Sequence, residues 1–271
     1  MQIRVLGPLE IEAHGRPFTP TAAKLRQLLA LLALHGGEVV SSRALIEELW
    51  GTTPPETPQQ TLQTYILHLR RRIGDALGVN KTDVAKGVLV TQHTGYSLRI
   101  APEDVDAVGY ERLAKRGRQA MDLGEYEAAA EILHGALGMW RGPALVDVHT
   151  GQPLAAHVNR LEESRLGALE DRIDAELWLG RHRIVLSELA ELTAQYPMNE
   201  RLCAQFMIAQ YRSGRGWRAL EIFWKLRSTM VEELGLEPSI SIQRLQRAIL
   251  NSDENLQHAH TSGELLSVVA S

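Results

Sequence analysis

Hydrogen-bonding side chains recur at helical spacing in one stretch of the chain, residues 57–74. On a helical wheel its apolar residues fall within about 60° of one another, at Leu62, Ile66, Leu69 and Ile73. The opposite face carries Gln60, Thr64, Leu67, His68 and Arg71, flanked by Thr61, Gln63, Arg70 and Arg72. Amides and guanidiniums can bond base edges in a DNA major groove, and flanking arginines can bind phosphates. The alternative is an ordinary surface helix with a solvated basic end.

The same stretch contains signals for where a helix begins and ends. Thr57 and Gln60 have the spacing of a capping box, and Pro58 suits the first helical position. Gly74 is expected to end the helix. The pattern therefore predicts a helix with one buried stripe and one exposed polar face.

Short strands and two further helices must position this helix. Alternating polarity predicts three strands, at Gln2–Leu6, at Leu9–Ala13 and around Phe18. Helices are predicted from Thr21 to about Leu34, after Thr19-Pro20, and from Ser41 or Ser42 to Trp50. Residues 78–87 are predicted to be an irregular connection, and a hairpin is predicted from Val88–Thr91, the turn Gln92–Gly95 and Tyr96–Ile100. A helix pair followed by a hairpin is the order of a winged helix-turn-helix domain.

Three segments resemble one family of such domains. Arg43 with Trp50-Gly51, the helix Thr61–Arg70 and the hairpin Thr94–Leu98 are similar to the output domain of OmpR/PhoB-type response regulators. The resemblance covers about residues 1–100, and we assign residues 1–101 to this winged-helix domain. It implies an α+β fold that binds double-stranded DNA.

The resemblance also implies roles for individual residues. Base contacts are implied for Thr61, Gln63, Thr64 and His68, and contacts to the DNA backbone for Arg43, Trp50, Gln60, Tyr65, Arg70 and Tyr96. The face analysis adds Arg71, with Arg72 on its flank, and Gln92 and Thr94 belong to the wing. Gln92 stands where family members often place an arginine that enters the minor groove. The rigid loop Gly51, Thr52, Thr53, Pro54, Pro55 and Glu56 lies where this family contacts RNA polymerase.

The rest of the chain is predicted to be helical and repetitive. Gly180 and Gly214 lie 34 residues apart, the period of tetratricopeptide repeats, and the neighbouring motifs agree. The fifth, ninth and twelfth residues after each glycine, and after Gly124, are small or apolar: Ala129, Leu133, Ala136, Val185, Leu189, Leu192, Ala219, Phe223 and Leu226. We therefore expect an all-α, tetratricopeptide-like domain over residues 102–251, followed by a flexible tail at 252–271.

Two further motifs, Trp140–Leu145 and Glu232–Ser239, complete a specific resemblance. With the N-terminal unit they resemble the streptomycete antibiotic regulatory proteins, whose helical half is called the bacterial transcriptional activation domain. The resemblance spans about residues 1–250. It implies an activator of a secondary-metabolite gene cluster that binds direct repeats near the −35 region as tandem protomers. The partners that it implies are RNA polymerase with its sigma factor, and a second copy as a homodimer on DNA.

Composition narrows the function classes. Residues 1–100 carry 11 Lys and Arg against 8 Asp and Glu, whereas residues 101–271 carry 18 against 25, so only the first part favours a polyanion. No phosphate loop or zinc-ligand spacing occurs, and carboxylates fall on helix faces near arginines, so we predict no enzyme, no catalytic residue, no metal and no cofactor. Cys203 is expected to be a buried structural thiol.

We also predict a cytoplasmic, nucleoid-associated protein without a membrane partner. One cysteine excludes an intramolecular disulfide, and neither a signal peptide nor an apolar run of 18 residues is visible. No receiver domain precedes the winged helix, so control by phosphorelay is not expected. Two alternatives remain: a repressor or ligand-sensing regulator on the same fold, and a repeat-based adaptor whose winged domain binds protein.

Overall fold

The computed structural model describes residues 1–253 and residue 256. They form two compact units. One comprises residues 1–114 with 135–166, and the other comprises residues 115–134 with the described residues from 167 onward. Most of the predicted tail, 252–271, lies outside the described residues. The domain limits drawn from the sequence stay a prediction.

The first unit contains two small antiparallel sheets. Strands β1 (Gln2–Arg4), β2 (Glu10–Ala13) and β3 (Arg16–Pro17) pair in sequence order, with Ile3 opposite Ile11. The second sheet has the order β4-β6-β5, from β4 (Val40–Ser41), β5 (Leu89–Thr91) and β6 (Gly95–Leu98). The predicted hairpin is thus present, although β4 had not been predicted. Its two residues are extended because Val40 pairs with Tyr96 and Ser41 with Gly95.

Four helices follow the first sheet along the chain. They are α1 (Ala23–Leu34), α2 (Ser42–Trp50), α3 (Pro58–Leu77) and α4 (Lys81–Gly87). Ser41 caps α2, since its hydroxyl accepts a hydrogen bond from the Ala44 N–H at 3.1 Å. The predicted irregular connection over 78–87 is wrong, because Asn80 accepts bonds from the Thr82 and Asp83 N–H groups and starts α4.

The ends of two helices differ from the prediction. Helix α1 begins after Ala22, because the Thr19 hydroxyl accepts the Ile11 N–H at 2.8 Å instead of capping the helix. Thr57 precedes α3 but makes no side-chain cap, so the predicted capping box is wrong. Helix α3 also continues through Gly74 to Leu77, and Gly78 ends it in the left-handed conformation, at φ 69°.

Gly74 serves close packing, not helix termination. A Cβ atom there would lie 2.7 Å from the Val79 carbonyl oxygen. The residue is buried, and its carbonyl accepts the Val79 N–H at 3.0 Å as the chain turns toward α4. A glycine is required because the turn after α3 folds back onto this position.

The remaining helices are α5 (Asp106–Asp122), α6 (Tyr126–Leu137), α7 (Gln152–Trp178), α8 (Leu186–Gln195), α9 (Glu200–Arg212), α10 (Gly216–Leu234) and α11 (Ile240–Leu250). All nine repeat positions predicted from the sequence are buried, with exposures of 9% or less. The three repeat glycines have φ between 72° and 77°, a region that other residues rarely adopt. The expected helical domain is therefore confirmed.

Helices of the second unit are joined by a buried polar network. The Arg201 guanidinium on α9 bonds carboxylates of Glu170, Asp171 and Asp174 on α7, at 2.6–3.2 Å. Gln205 donates to the Asp174 carboxylate at 2.6 Å. Burial raises the pKa of Asp174, and Arg201 opposes that shift. The buried thiol of Cys203, whose pKa burial raises to about 12, is unreactive. None of the described helices is long and apolar enough to cross a membrane.

Candidate nucleic-acid interface

Helix α3 buries one face and exposes the other, as the sequence indicates. Its apolar stripe is at most 1% exposed, at Leu62, Ile66, Leu69 and Ile73. The exposed side chains are Gln60, Gln63, Thr64, Leu67, His68, Arg71 and Arg72, while Thr61, Tyr65 and Arg70 are partly buried. Twenty residues at 1.5 Å each make α3 about 30 Å long, and the exposed residues run along most of that length.

Two threonine hydroxyls on this face already have a partner within the helix. Thr61 donates its hydroxyl proton to the Thr57 carbonyl at 3.0 Å, and Thr64 donates to the Gln60 carbonyl at 3.0 Å. Each oxygen keeps its lone pairs, so these side chains present hydrogen-bond acceptors outward. Acceptors suit the amino groups of adenine and cytosine in the major groove.

Arg70 connects α3 to the wing, the hairpin of β5 and β6 (residues 89–98). Its Nε donates to the Leu89 carbonyl at 2.9 Å, and its Nη2 donates to the Thr91 hydroxyl at 2.7 Å. Burial lowers the pKa of this guanidinium and raises the pKa of the neighbouring Tyr96 hydroxyl. Arg70 thus positions the wing beside the helix, and a phosphate contact from it stays a prediction.

Aromatic residues implied as backbone contacts lie at the edges of the core. Trp50 at the end of α2 stacks on Tyr65 of α3, with ring centroids 6.1 Å apart and planes inclined at 24°. Both side chains are partly buried, whereas Tyr96 is only 7% exposed. Trp50 and Tyr65 can therefore touch DNA by their edges, but Tyr96 mainly supports the core.

The wing turn is held against the start of α2. The Thr94 carbonyl accepts the Ser42 N–H at 2.9 Å, and the Gln92 N–H donates to the Gly95 carbonyl at 2.8 Å. The Thr94 side chain is exposed and that of Gln92 is partly buried. Arg43, in the first turn of α2, is also exposed and forms no ion pair among the described residues. The structure therefore brings a cation and the wing turn to the same end of α2.

A basic cleft extends along the C-terminal half of α3. It has a volume of about 480 Å³ and is lined by Ala22, Leu25, His68, Arg71, Arg72 and Asp75. Within the described part of the chain, neither Arg71 nor Arg72 forms an ion pair. Two arginines against the single acid Asp75 leave this cleft with an excess of positive charge, which favours a polyanion.

The loop between α2 and α3 projects from the unit. Residues 51–57 are all exposed, including Pro54 and Pro55. Gly51 begins the loop at φ 56°, and the Thr53 N–H and hydroxyl both bond the Trp50 carbonyl, at 3.1 and 3.2 Å. The start of the loop is therefore fixed while its proline-containing tip is free to contact a partner.

Glu48 supports α2, a role that the sequence analysis missed. This carboxylate is 2% exposed and accepts bonds from the Gln27 amide, the Gly151 N–H and the Leu154 N–H, at 2.7, 2.7 and 2.8 Å. It thereby caps the N-terminus of α7. An available signal was its position: Glu48 lies three and four residues after Leu45 and Ala44, on the apolar face of α2.

The segment 140–147 packs against the loop that joins β1 to β2. The Arg141 N–H donates to the Leu6 carbonyl and the Leu145 N–H to the Gly7 carbonyl, both at 2.8 Å. In return, the Leu9 N–H donates to the Asp147 carboxylate at 2.8 Å. Leu145 takes φ 52°, a strained value for a leucine, while remaining 1% exposed. The motif Trp140–Leu145 therefore anchors the sheet that precedes helices α1 to α4.

Comparisons with known proteins agree with this architecture. Residues 16–98 match the family model "Transcriptional regulatory protein, C terminal", and residues 105–250 match "Bacterial transcriptional activator domain". Regulatory protein DnrI of Streptomyces peucetius is 52% identical over 256 residues, which cover 94% of each chain. Transcriptional regulator RedD of Streptomyces coelicolor is 35% identical over 95% of this chain and 72% of its own length.

A solved structure shares the fold. Mycobacterium tuberculosis EmbR, in complex with a low-affinity phosphopeptide, matches 99% of this chain and 70% of its own, with a TM-score of 0.85 and 28% identity. A winged helix-turn-helix followed by a bacterial transcriptional activator domain defines a class of transcription regulators, not of enzymes. Within that class, the chain belongs to the streptomycete antibiotic regulatory proteins.

Proposed function

We propose that the protein activates transcription of a secondary-metabolite gene cluster by sequence-specific binding to double-stranded DNA. The observation that carries this proposal is the exposed face of α3, which combines amides, hydroxyls, an imidazole and free guanidiniums above a fully buried apolar stripe. Such a helix can enter a major groove while the rest of the unit holds it.

Base reading is assigned to the centre of α3. Gln63 can make paired hydrogen bonds to adenine, and His68 and the acceptor oxygens of Thr61 and Thr64 can bond other base edges. Leu67 is 48% exposed among these polar groups and has the chemistry to contact a thymine methyl. Sequence choice then depends on a compact set of neighbouring side chains.

Phosphate binding is assigned to cations that are free in the described structure. Arg43 is exposed in the first turn of α2, and Arg71 and Arg72 are exposed on α3. Gln60, Trp50 and Tyr65 add polar contacts to the sugar-phosphate backbone, and Gln92 and Thr94 of the wing add others. Phosphate contacts determine register and affinity, and base contacts determine sequence.

The proposal includes assembly in the cytoplasm at the promoter. Two protomers bind direct repeats near the −35 region in tandem, and the exposed loop 51–56 contacts RNA polymerase and its sigma factor. The fixed start and proline-containing tip of that loop support this role, because a preorganised surface loses little entropy on binding.

The test is duplex binding over a salt series, with promoter DNA from the host's own cluster and random duplex compared. Arg71→Ala should reduce the slope of log K against log salt by about 0.9. Arg118→Ala, the same charge change at an exposed position of α5, is the control and should leave the slope unchanged. Equal, salt-insensitive binding to both duplexes would refute the proposal.

Sequence reading has a separate test. His68→Ala should cost about 1–3 kcal/mol on promoter duplex and little on random duplex. An equal loss on both would remove His68 from base reading. In vitro transcription with purified RNA polymerase then separates an activator from a repressor, since only an activator raises transcript yield.

A further inference from the structure

A furrow between α9 and α10 has the features of a small-molecule site. It has a volume of about 340 Å³ and is lined by Phe206, Gln210, Trp217, Arg218, Glu221, Ile222 and Lys225. A smaller cavity of about 140 Å³ shares Phe206, Ile222 and Lys225 with it and extends toward α8. Known ligand pockets begin at about 300 Å³, so the furrow can hold a compact organic molecule.

The floor of the furrow contains a polar atom without a partner. Gln210 is 5% exposed, and its Oε1 accepts no hydrogen bond in the structure. Leaving a buried acceptor unpaired is costly, so such atoms call for an explanation. Because this oxygen is shielded from solvent, the Gln210 side chain must turn toward the furrow for a donor on a bound molecule to satisfy it.

The walls add an aromatic surface and positive charge. The Trp217 side chain is 61% exposed, far more than an indole in a core. The Arg218 guanidinium carbon lies 5.1 Å from the centre of this ring. Lys225 adds a second cation, against the single acid Glu221, and neither cation forms an ion pair among the described residues. A flat ring on Trp217 would therefore place an attached anion beside Arg218.

We propose that this furrow binds a small aromatic acid that also carries an N–H or O–H donor. The aromatic body packs on Trp217 and Phe206, the donor bonds Gln210, and the acidic group lies near Arg218 and Lys225. Arg218 and Lys225 against Glu221 give the furrow a net positive charge, which favours an anion over a cation. This inference does not rest on DNA binding and is tested without DNA.

Two matched dyes test each part of the proposal. 8-Anilinonaphthalene-1-sulfonate has the aromatic body, an N–H donor and an anion, whereas N-phenyl-1-naphthylamine lacks only the anion. Fluorescence titration of the full chain should show one saturable site that prefers the sulfonate. Trp217→Ala and Gln210→Leu should weaken both dyes by about tenfold, and Arg218→Gln should weaken only the sulfonate, by a similar factor.

Control variants show whether the furrow itself is responsible. Trp224→Ala removes another tryptophan of α10, which is 54% exposed and does not line the furrow. Arg244→Gln removes an exposed arginine on α11. Both should bind the dyes as the unmodified chain does. The proposal fails if the controls weaken binding as much as the furrow variants, or if Arg218→Gln affects both dyes alike.

Light scattering at the titration concentrations tests whether a second copy of the chain occupies the furrow. A constant mass, with dye binding independent of protein concentration, supports the small-molecule site. If dye binds only when dilution dissociates an oligomer, a second copy covers the furrow and the proposal is overturned.

Discussion

Removing the buried carboxylate of Glu48 should destabilise the unit that carries helix α3. Glu48→Ala leaves the N–H groups of Gly151 and Leu154 without their acceptor, and the Gln27 amide keeps only its bond to the backbone carbonyl of residue 48. Each unpaired buried donor costs about 1–3 kcal/mol. Because the N-terminus of α7 can recover water for part of this loss, we expect the free energy of unfolding to fall by about 3–5 kcal/mol.

The expected loss can be measured globally and locally. Urea unfolding followed by tryptophan fluorescence gives the stability, and Trp50 and Trp140 lie in the affected unit. Hydrogen exchange of peptides that contain Gly151 and Leu154 reports directly on the capped N–H groups. Glu48→Gln keeps the shape but removes the charge, so its loss should be smaller, at about 1–2 kcal/mol.

Glu47→Ala provides the matched control, because Glu47 is the exposed neighbour on α2 and makes no side-chain bond among the described residues. Its effect should stay within about 0.5 kcal/mol. If Glu48→Ala unfolded at the same urea concentration as this control, with unchanged amide protection at α7, the capping role of Glu48 would be wrong.

Three further predictions concern the wing, pH and transcription. Arg70→Ala should lower stability by about 1–2 kcal/mol and increase hydrogen exchange in the wing; unchanged exchange would contradict its positioning role. Burial lowers the pKa of His157, so its neutral form stabilises the fold above about pH 6.5 and stability falls as the pH drops toward the folded-state pKa. His157→Gln should reduce the change of the urea unfolding midpoint between pH 7.5 and 5.5, whereas His149→Gln, at an exposed position, should not. An equal reduction in both variants would refute the assignment. Replacing Pro54 and Pro55 by alanine should preserve duplex binding and reduce transcript yield, and a loss of binding would place the loop on DNA.

Periodicity predicted helix α3 and its buried stripe well because the signal is local and repeated. Four apolar residues on one wheel sector, at most 1% exposed in the structure, required no knowledge of their partners. The end of the same helix could not be predicted this way. Glycine often ends a helix, so Gly74 was interpreted as a stop signal. The close approach of the Val79 carbonyl, which only the structure shows, is what requires a glycine there.

Short elements were missed for a related reason. Two residues at β4 carry too little pattern to predict a strand, and they are extended because β6 pairs with them. The start of helix α4 could have been predicted, because Asn80 is a typical N-cap residue and Asp83 follows in the first turn. The sequence therefore contains a local capping signal for α4, whereas β4 depends on its pairing with β6.

The family motif Trp140–Leu145 has a structural role in the first unit. Asp106 accepts the Val5 and Leu6 N–H groups at 2.8 and 3.1 Å, and the Arg141 and Leu145 amides bond the same loop from the other side. Burial raises the pKa of Asp106, and the two amides and Arg141 oppose that shift.

These bonds satisfy nearly every polar group of the loop between β1 and β2, which could not otherwise be buried. Replacing Arg141 would remove its guanidinium contacts to the Pro8 carbonyl, Glu10 and Asp106 and would therefore loosen the N-terminal sheet, although Arg141 does not belong to the proposed DNA surface. Reduced DNA binding by such a variant, with a normal salt slope, would separate support of the fold from contact with phosphate.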